Sequence, residues 1–176
     1  LQIDVKAREQ KVNELQSSLA DREKRVADLE KVLSQKDSVV KALKNSISDA
    51  LLNFKDKGLS INVKNGKVYV SMDEKLLFES GKYAINSSGK QALIQLAGVL
   101  NSQKDVNILV EGHTDTIPYK PSVSSVIKDN WDLSVLRATE VTRILTKDGK
   151  VDATRITAAG RGESQPIASN STTEGR

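Results

Sequence analysis

Cysteine is absent from this chain. That excludes disulfide bridges, thiolate nucleophiles and cysteine-built zinc sites at once. Aromatic residues make up only 3% of the sequence, too few for the stacking platforms that read single-stranded nucleic acids. No block of one charge is present either. The 27 Lys and Arg are interleaved with 23 Asp and Glu, for a formal charge of +4, and without a basic stripe to follow a phosphate backbone no nucleic-acid partner is expected. No apolar run approaches the roughly 18 residues needed to span a membrane. The sequence opens on Leu1 rather than Met, so any targeting or membrane-anchoring segment is expected upstream of it. One histidine and scattered acids do not make a ligand set, so neither metal nor cofactor is expected.

Glycine and proline are also missing from residues 1 to 54. In their place apolar residues return at every seventh position: Val5, Val12, Leu19, Val26, Leu33, Val40, Ile47 and Phe54. With these at heptad position a, position d holds Leu1, Arg8, Leu15, Arg22, Leu29, Lys36, Leu43 and Ala50. An unbroken repeat of this length predicts a coiled-coil helix about 80 Å long at ~1.5 Å per residue. Such a helix cannot bury its stripe alone. Val at a with Leu at d favours a parallel homodimer through residues 1–54, with a trimer or another protein's helices as alternatives. The cations at d recur every second heptad, each followed at e by an acid: Arg8–Glu9, Arg22–Glu23 and Lys36–Asp37. Across a parallel seam each cation would meet a carboxylate of the partner, which is weaker than leucine packing but fixes register.

After Lys57-Gly58 the period changes from seven to two. Leu59, Ile61 and Val63 alternate with polar residues, as do Val68, Val70 and Met72, and Asn65-Gly66 between them suits a two-residue hairpin turn. Leu76-Leu77-Phe78 before Gly81 forms an apolar patch. Asn86-Ser87-Ser88 offers N-caps for a helix with Leu93, Ile94, Ala97 and Leu100 inward. Val106 to Val110 reads as a buried, central strand. A loop with Pro118 and Pro121 leads to a second helix from about Asn130 to Lys147, carrying Leu133, Leu136, Val141, Ile144 and Leu145 on its inner face. Ile156 to Ala159 reads as a last strand. The order predicts an α+β chain: a long coiled-coil helix over 1–56, then a β/α domain over 57–176 with helices on one face of a mixed sheet.

Polar groups cluster where the central strand ends. Glu111-Gly112-His113-Thr114-Asp115 leaves it, and Asn130-Trp131-Asp132-Leu133-Ser134-Val135-Leu136-Arg137-Ala138 opens the following helix. An aspartate and an arginine on neighbouring elements can hold a ligand bearing both an ammonium and a carboxylate, since the guanidinium fork matches a carboxylate and the aspartate accepts from an ammonium. His113 has no companion nucleophile or orienting partner in the sequence, so it reads as structural rather than catalytic. Trp131 reads as a core plug at the helix start. Gly160-Arg161-Gly162 lacks the lysine and the context of a phosphate cradle and reads as a loop shaping the sheet edge.

Gly-His-Thr-Asp, then Asn-x-x-Leu-Ser-x-x-Arg-Ala, then Arg155-Ile156 and Gly160-Arg161-Gly162-Glu163-Ser164-Gln165-Pro166 together resemble the OmpA-like (OmpA/MotB C-terminal) family over about residues 68 to 176. The Asn-Trp-Asp-Leu-Ser wording is closer to its MotB branch. The resemblance implies a periplasmic module that binds peptidoglycan without cleaving it, and hence no enzyme. It implies that Asp115 engages the amino group and Arg137 the carboxylate of the diaminopimelate in the stem peptide, with Thr114, Asn130 and Leu133 shaping the pocket. Two departures stand out. The segment Thr116 to Asp129 is longer than in the porin branch. The family pattern also continues past a Gly-Arg into a final strand, whereas here Gly175-Arg176 ends the sequence, so that strand is expected to be missing. The functional expectation is an envelope protein held to the cell wall through a dimeric stalk, membrane-anchored upstream. A wall anchor for a force-generating membrane complex and a coiled-coil scaffold without ligand are the alternatives.

Overall fold

The computed structural model describes residues 2–79, 82–121 and 125–166. Leu1 at the first d position, Gly81 and Gly175-Arg176 lie outside the described residues. Helix α1 runs unbroken from Gln2 to Ala50, about 75 Å at 1.5 Å per residue. Over most of its length the heptad stripe faces solvent, with Val5, Val12, Leu19, Val26 and Leu33 all at least half exposed. From Leu43 onward the same stripe enters the head. Leu43 and Ile47, then Leu51 and Phe54 around the short 3-10 turn Leu52–Phe54, are buried in one cluster with Leu59, Leu76, Leu93 and Leu145. The seam open to a second chain therefore ends near Val40, short of the Phe54 that the heptad count predicts. The last a and d positions meet the chain's own α3 and β1 instead.

Strands β1 (Leu59–Lys64) and β2 (Lys67–Met72) form the predicted antiparallel hairpin, in register Leu59↔Met72, Ile61↔Val70 and Val63↔Val68. Its turn residues Asn65 and Gly66 have φ of 52° and 69°, the left-handed pair that matches strand twist. The one-turn helix α2 (Glu74–Leu77) follows, burying Leu76 and Leu77. Helix α3 (Ser87–Ser102) starts on Asn86, whose side chain accepts from the Gly89 amide at 2.8 Å. Its buried stripe is Gly89, Ala92, Leu93, Leu96, Ala97 and Leu100, a three-four spacing. Ile94, expected inward, falls off that stripe and is exposed.

Strands β3 (Ile108–Gly112) and β4 (Ile156–Gly160) pair in parallel, Ile108↔Ile156 through Gly112↔Gly160. Among the described residues the mixed architecture thus consists of two ladders, one antiparallel and one parallel. Helix α4 (Asn130–Arg143) packs on β3 and β4. It gives way at Ile144–Asp148 to a π turn rather than continuing as α to Lys147. Burial of the β3 segment is one-sided. Ile108 and Val110 pack against the core cluster, whereas Leu109 points to the opposite face, as strand alternation requires, and is 56% exposed.

Arg155 ties the two halves of the head together. Its guanidinium donates to the carbonyls of Leu100, Gln103 and Val106 at 2.6–3.2 Å, adding a charged donor to carbonyl groups at and beyond the α3 C-terminus, where the helix leaves its last acceptors without a full set of partners. Just before it, Asp152 caps the short turn Ala153–Arg155. The Thr154 amide and then its hydroxyl hold the Asp152 carboxyl below the usual carboxylate range.

Candidate ligand-binding site

The site begins where β3 ends. A Cβ on Gly112 would stand 2.0 Å from the Ser134 carbonyl oxygen, and one on Gly160 would stand 2.5 Å from Ser134 Oγ. These paired glycines let the first turns of α4 lie directly on the strand ends. Ser134 Oγ then donates to the Trp131 carbonyl at 2.8 Å and accepts from the Gly162 amide at 3.1 Å. The loop after β4 is fixed in the same way, with Arg161 N donating to Gly112 O and Thr114 N to Gly162 O, each at 2.9 Å.

Asn130 is the hub. It is buried, and the two hydrogens of its Nδ2 are shared among Asp115 O at 3.2 Å, Ile117 O at 3.0 Å and Glu163 Oε2 at 2.8 Å. Its Oδ1 accepts from the Tyr119 amide at 3.2 Å. One amide side chain therefore holds the chain leaving β3 and the loop after β4 at the α4 N-terminus. The long segment Thr116 to Asp129 is anchored by these bonds, by burial of Ile127, and by the Lys128 amide donating to Asp132 at 2.9 Å.

Asp115 is half-buried, and its Oδ1 accepts from the Ile117 amide at 3.0 Å, the turn geometry typical of aspartate. Next to it, Thr114 Oγ1 and His113 Nδ1 are buried without a hydrogen-bond partner among the described residues, a costly state unless a ligand or water completes them. His113 Nε2 lies 4.0 Å from Glu111 Oε2, too far for a hydrogen bond. Glu111 instead receives Arg161 at 2.6–2.7 Å.

Arg137 lies on the same face of α4, two turns beyond Asn130, with Leu133 buried between them. Seven residues of helix put Asn130 and Arg137 about 10 Å apart along the axis. Arg137 is 7% exposed, and its guanidinium is not the open fork that the sequence suggests. Its Nη2 donates to Glu74 Oε1 at 2.6 Å, and Nε and Nη2 donate to the Lys82 carbonyl at 3.2 and 3.1 Å. The Phe78 ring lies beneath it, 4.9 Å from Cζ to centroid. Nη1 takes no hydrogen bond among the described residues. The structure thus groups Thr114, Asp115 and Asn130 directly, and joins Arg137 to them through the α4 face rather than by contact.

Trp131 is not a core plug. It is 53% exposed, with its ring against Gly162, where a Cβ would stand 3.3 Å from the indole. Only the glycine at φ +52° lets the ring lie on the loop. Glu74, Phe78 and Glu163 were not legible as neighbours of the site. Each belongs to a different segment, and no local pattern in the sequence joins them to α4.

An acid on the loop leaving β3 and an amide and a guanidinium on one face of α4 thus lie at the rim of a parallel strand pair, in a head preceded by a long helix. The profile of the OmpA family matches residues 77–176, more than half of the sequence, and the chain belongs to that family. Motility protein B of Bacillus subtilis is 36% identical over 107 residues, covering 61% of this chain and 40% of the relative; the chain therefore spans less than half of that relative's length. Among solved structures, the cell wall anchor of the T6SS from Pseudomonas aeruginosa superposes with a TM-score of 0.62 at 28% identity, covering 74% of this chain and 88% of the other. A MotB-like protein from Desulfovibrio vulgaris reaches a TM-score of 0.66 at 24% identity, covering 81% and 88%, a likeness of fold alone.

Proposed function

We propose that this chain is a non-catalytic wall-binding module: its head, 57–176, grips peptidoglycan by the diaminopimelate of the stem peptide, and its stalk, within 1–56, joins two such heads. Asp115 accepts from the ligand's ammonium, and Arg137 receives its carboxylate on the edge that includes Nη1. Thr114 supplies a hydroxyl that has no partner among the described residues, Asn130 holds the Asp115 turn, and Leu133 forms the apolar floor. The observation that carries this reading is the placement of Asn130, Leu133 and Arg137 on one face of α4 with Asp115 bound to Asn130. Membership of the OmpA family and the likeness to a cell wall anchor support it. The same reading places the protein in the periplasm, attached to a membrane by a segment outside this sequence.

Each charge-assisted contact contributes about 1.5–3 kcal/mol, so one head binds weakly. A parallel dimer through the exposed seam raises the effective concentration of the second head at the wall. Co-sedimentation with diaminopimelate-type sacculi tests the site. Asp115→Ala and Arg137→Ala should each weaken binding about 10- to 100-fold while circular dichroism stays unchanged. Full binding by both variants would remove the assignment.

A further inference from the structure

We propose that Glu74 is a built-in competitor for the ligand's carboxylate at Arg137, so that binding proceeds by exchange of one carboxylate for another. Glu74 has this role only if Arg137 takes the ligand, as proposed above.

A guanidinium offers a carboxylate two bidentate edges, Nε with Nη2 and Nη1 with Nη2. The first edge of Arg137 is held by the Lys82 carbonyl through both of its nitrogens. On the second edge, Nη2 is also committed to Glu74 Oε1 at 2.6 Å. Nη2 carries two hydrogens, and these two bonds use both. A carboxylate arriving at Nη1 and Nη2 therefore completes its fork only when Glu74 leaves.

Among these partners Glu74 is the one built to leave. Lys82 contributes a main-chain oxygen, and Phe78 is buried in the core; neither withdraws without moving backbone or packing. The Glu74 side chain is 45% exposed while that of Arg137 is 8% exposed, and Glu74 is the first residue of the one-turn helix α2. A change of rotamer takes its carboxylate into water. In the empty head Glu74 spares Arg137 the cost of a buried charge without a counter-ion. In the occupied head the ligand replaces it at Arg137, so one ion pair of the guanidinium is gained as another is lost. Ligands without a carboxylate cannot make the exchange and are rejected.

The test uses the full 176-residue chain and diaminopimelate-type sacculi. Glu74→Gln and Glu74→Ala remove the competitor and should tighten binding about three- to tenfold. They should also make binding fall more steeply with salt, because a new ion pair then forms without an old one being lost. Arg137→Ala should abolish the gain in either background. Binding that Arg137→Ala reduces but that the Glu74 variants leave unchanged or weaken overturns the competitor role and leaves the clamp standing. Binding unaffected by Arg137→Ala overturns both. Failure of both Glu74 variants to fold also overturns the role, since the pair is then a structural requirement rather than an exchangeable contact.

Discussion

Ser134 sits directly over Gly112: its carbonyl oxygen lies 2.0 Å from the point a Cβ on residue 112 would occupy. The Asp115 turn follows three residues later, so the seat of α4 on β3 sets the height of the whole site. Gly112→Ala pushes a methyl group into main chain that cannot rotate away. It should cost about 2–3 kcal/mol, the upper part of the overpacking range, read as a lowered urea midpoint. Gly160→Ala meets the ends of the Ser134 and Val135 side chains as well as backbone and should cost less. Equal midpoints for Gly112→Ala and the parent chain would show that α4 is not seated on the strand end.

Asn130 holds three acceptors and one donor. Asn130→Ala should destabilise the head by about 1–3 kcal/mol through partners left unsatisfied. It should also speed hydrogen exchange at the Tyr119 amide, whose acceptor is lost. Asn130→Asp keeps that acceptor but loses the donors and brings a second carboxylate to Glu163, so it should be the more damaging substitution. A Tyr119 amide equally protected in Asn130→Ala would show that the loop is held by something else.

Trp131 is the only tryptophan, which makes its environment directly readable. Half exposed and lying on Gly162, it should emit near the wavelength of a solvated indole in the folded chain and be quenched by acrylamide. A blue-shifted, unquenched emission would restore the buried position that the sequence suggests.

The stalk and the head should respond to separate substitutions. Leu19→Asp with Val26→Asp strikes the exposed seam and should convert a dimer to a monomer in light scattering without shifting the head's unfolding midpoint. Ile47→Ala lies on the same heptad stripe but at 2% exposure in the head core, and should cost the head about 2–5 kcal/mol. An intact chain that is monomeric at micromolar concentration contradicts the seam as a dimer interface.

What was legible in the sequence is what short-range chemistry dictates. The Asn65-Gly66 turn was readable because positive φ is a requirement of two adjacent residues, and the α3 cap because Asn86 needs only its own next turn. The Asp115–Asn130 grouping was readable from motif order. Features set by distant partners were not. Ile94 and Leu96 are both apolar, and only the direction of the core decides which faces inward. Trp131 is exposed because a glycine on another loop supports it. The Glu74 contact joins residues 63 positions apart, and the heptad count continues past Val40 although α3 and β1 claim its last turns.

The unbroken passage of α1 from solvent into the head also has a mechanical meaning. Among the described residues no glycine or proline interrupts it before Ala50, and its final turns are gripped on several sides by apolar side chains. A pull along the stalk arrives at Ile47 and Leu51 as tension on the globule itself, with no slack linker to absorb it. The angular phase of the rod likewise sets which way the head faces.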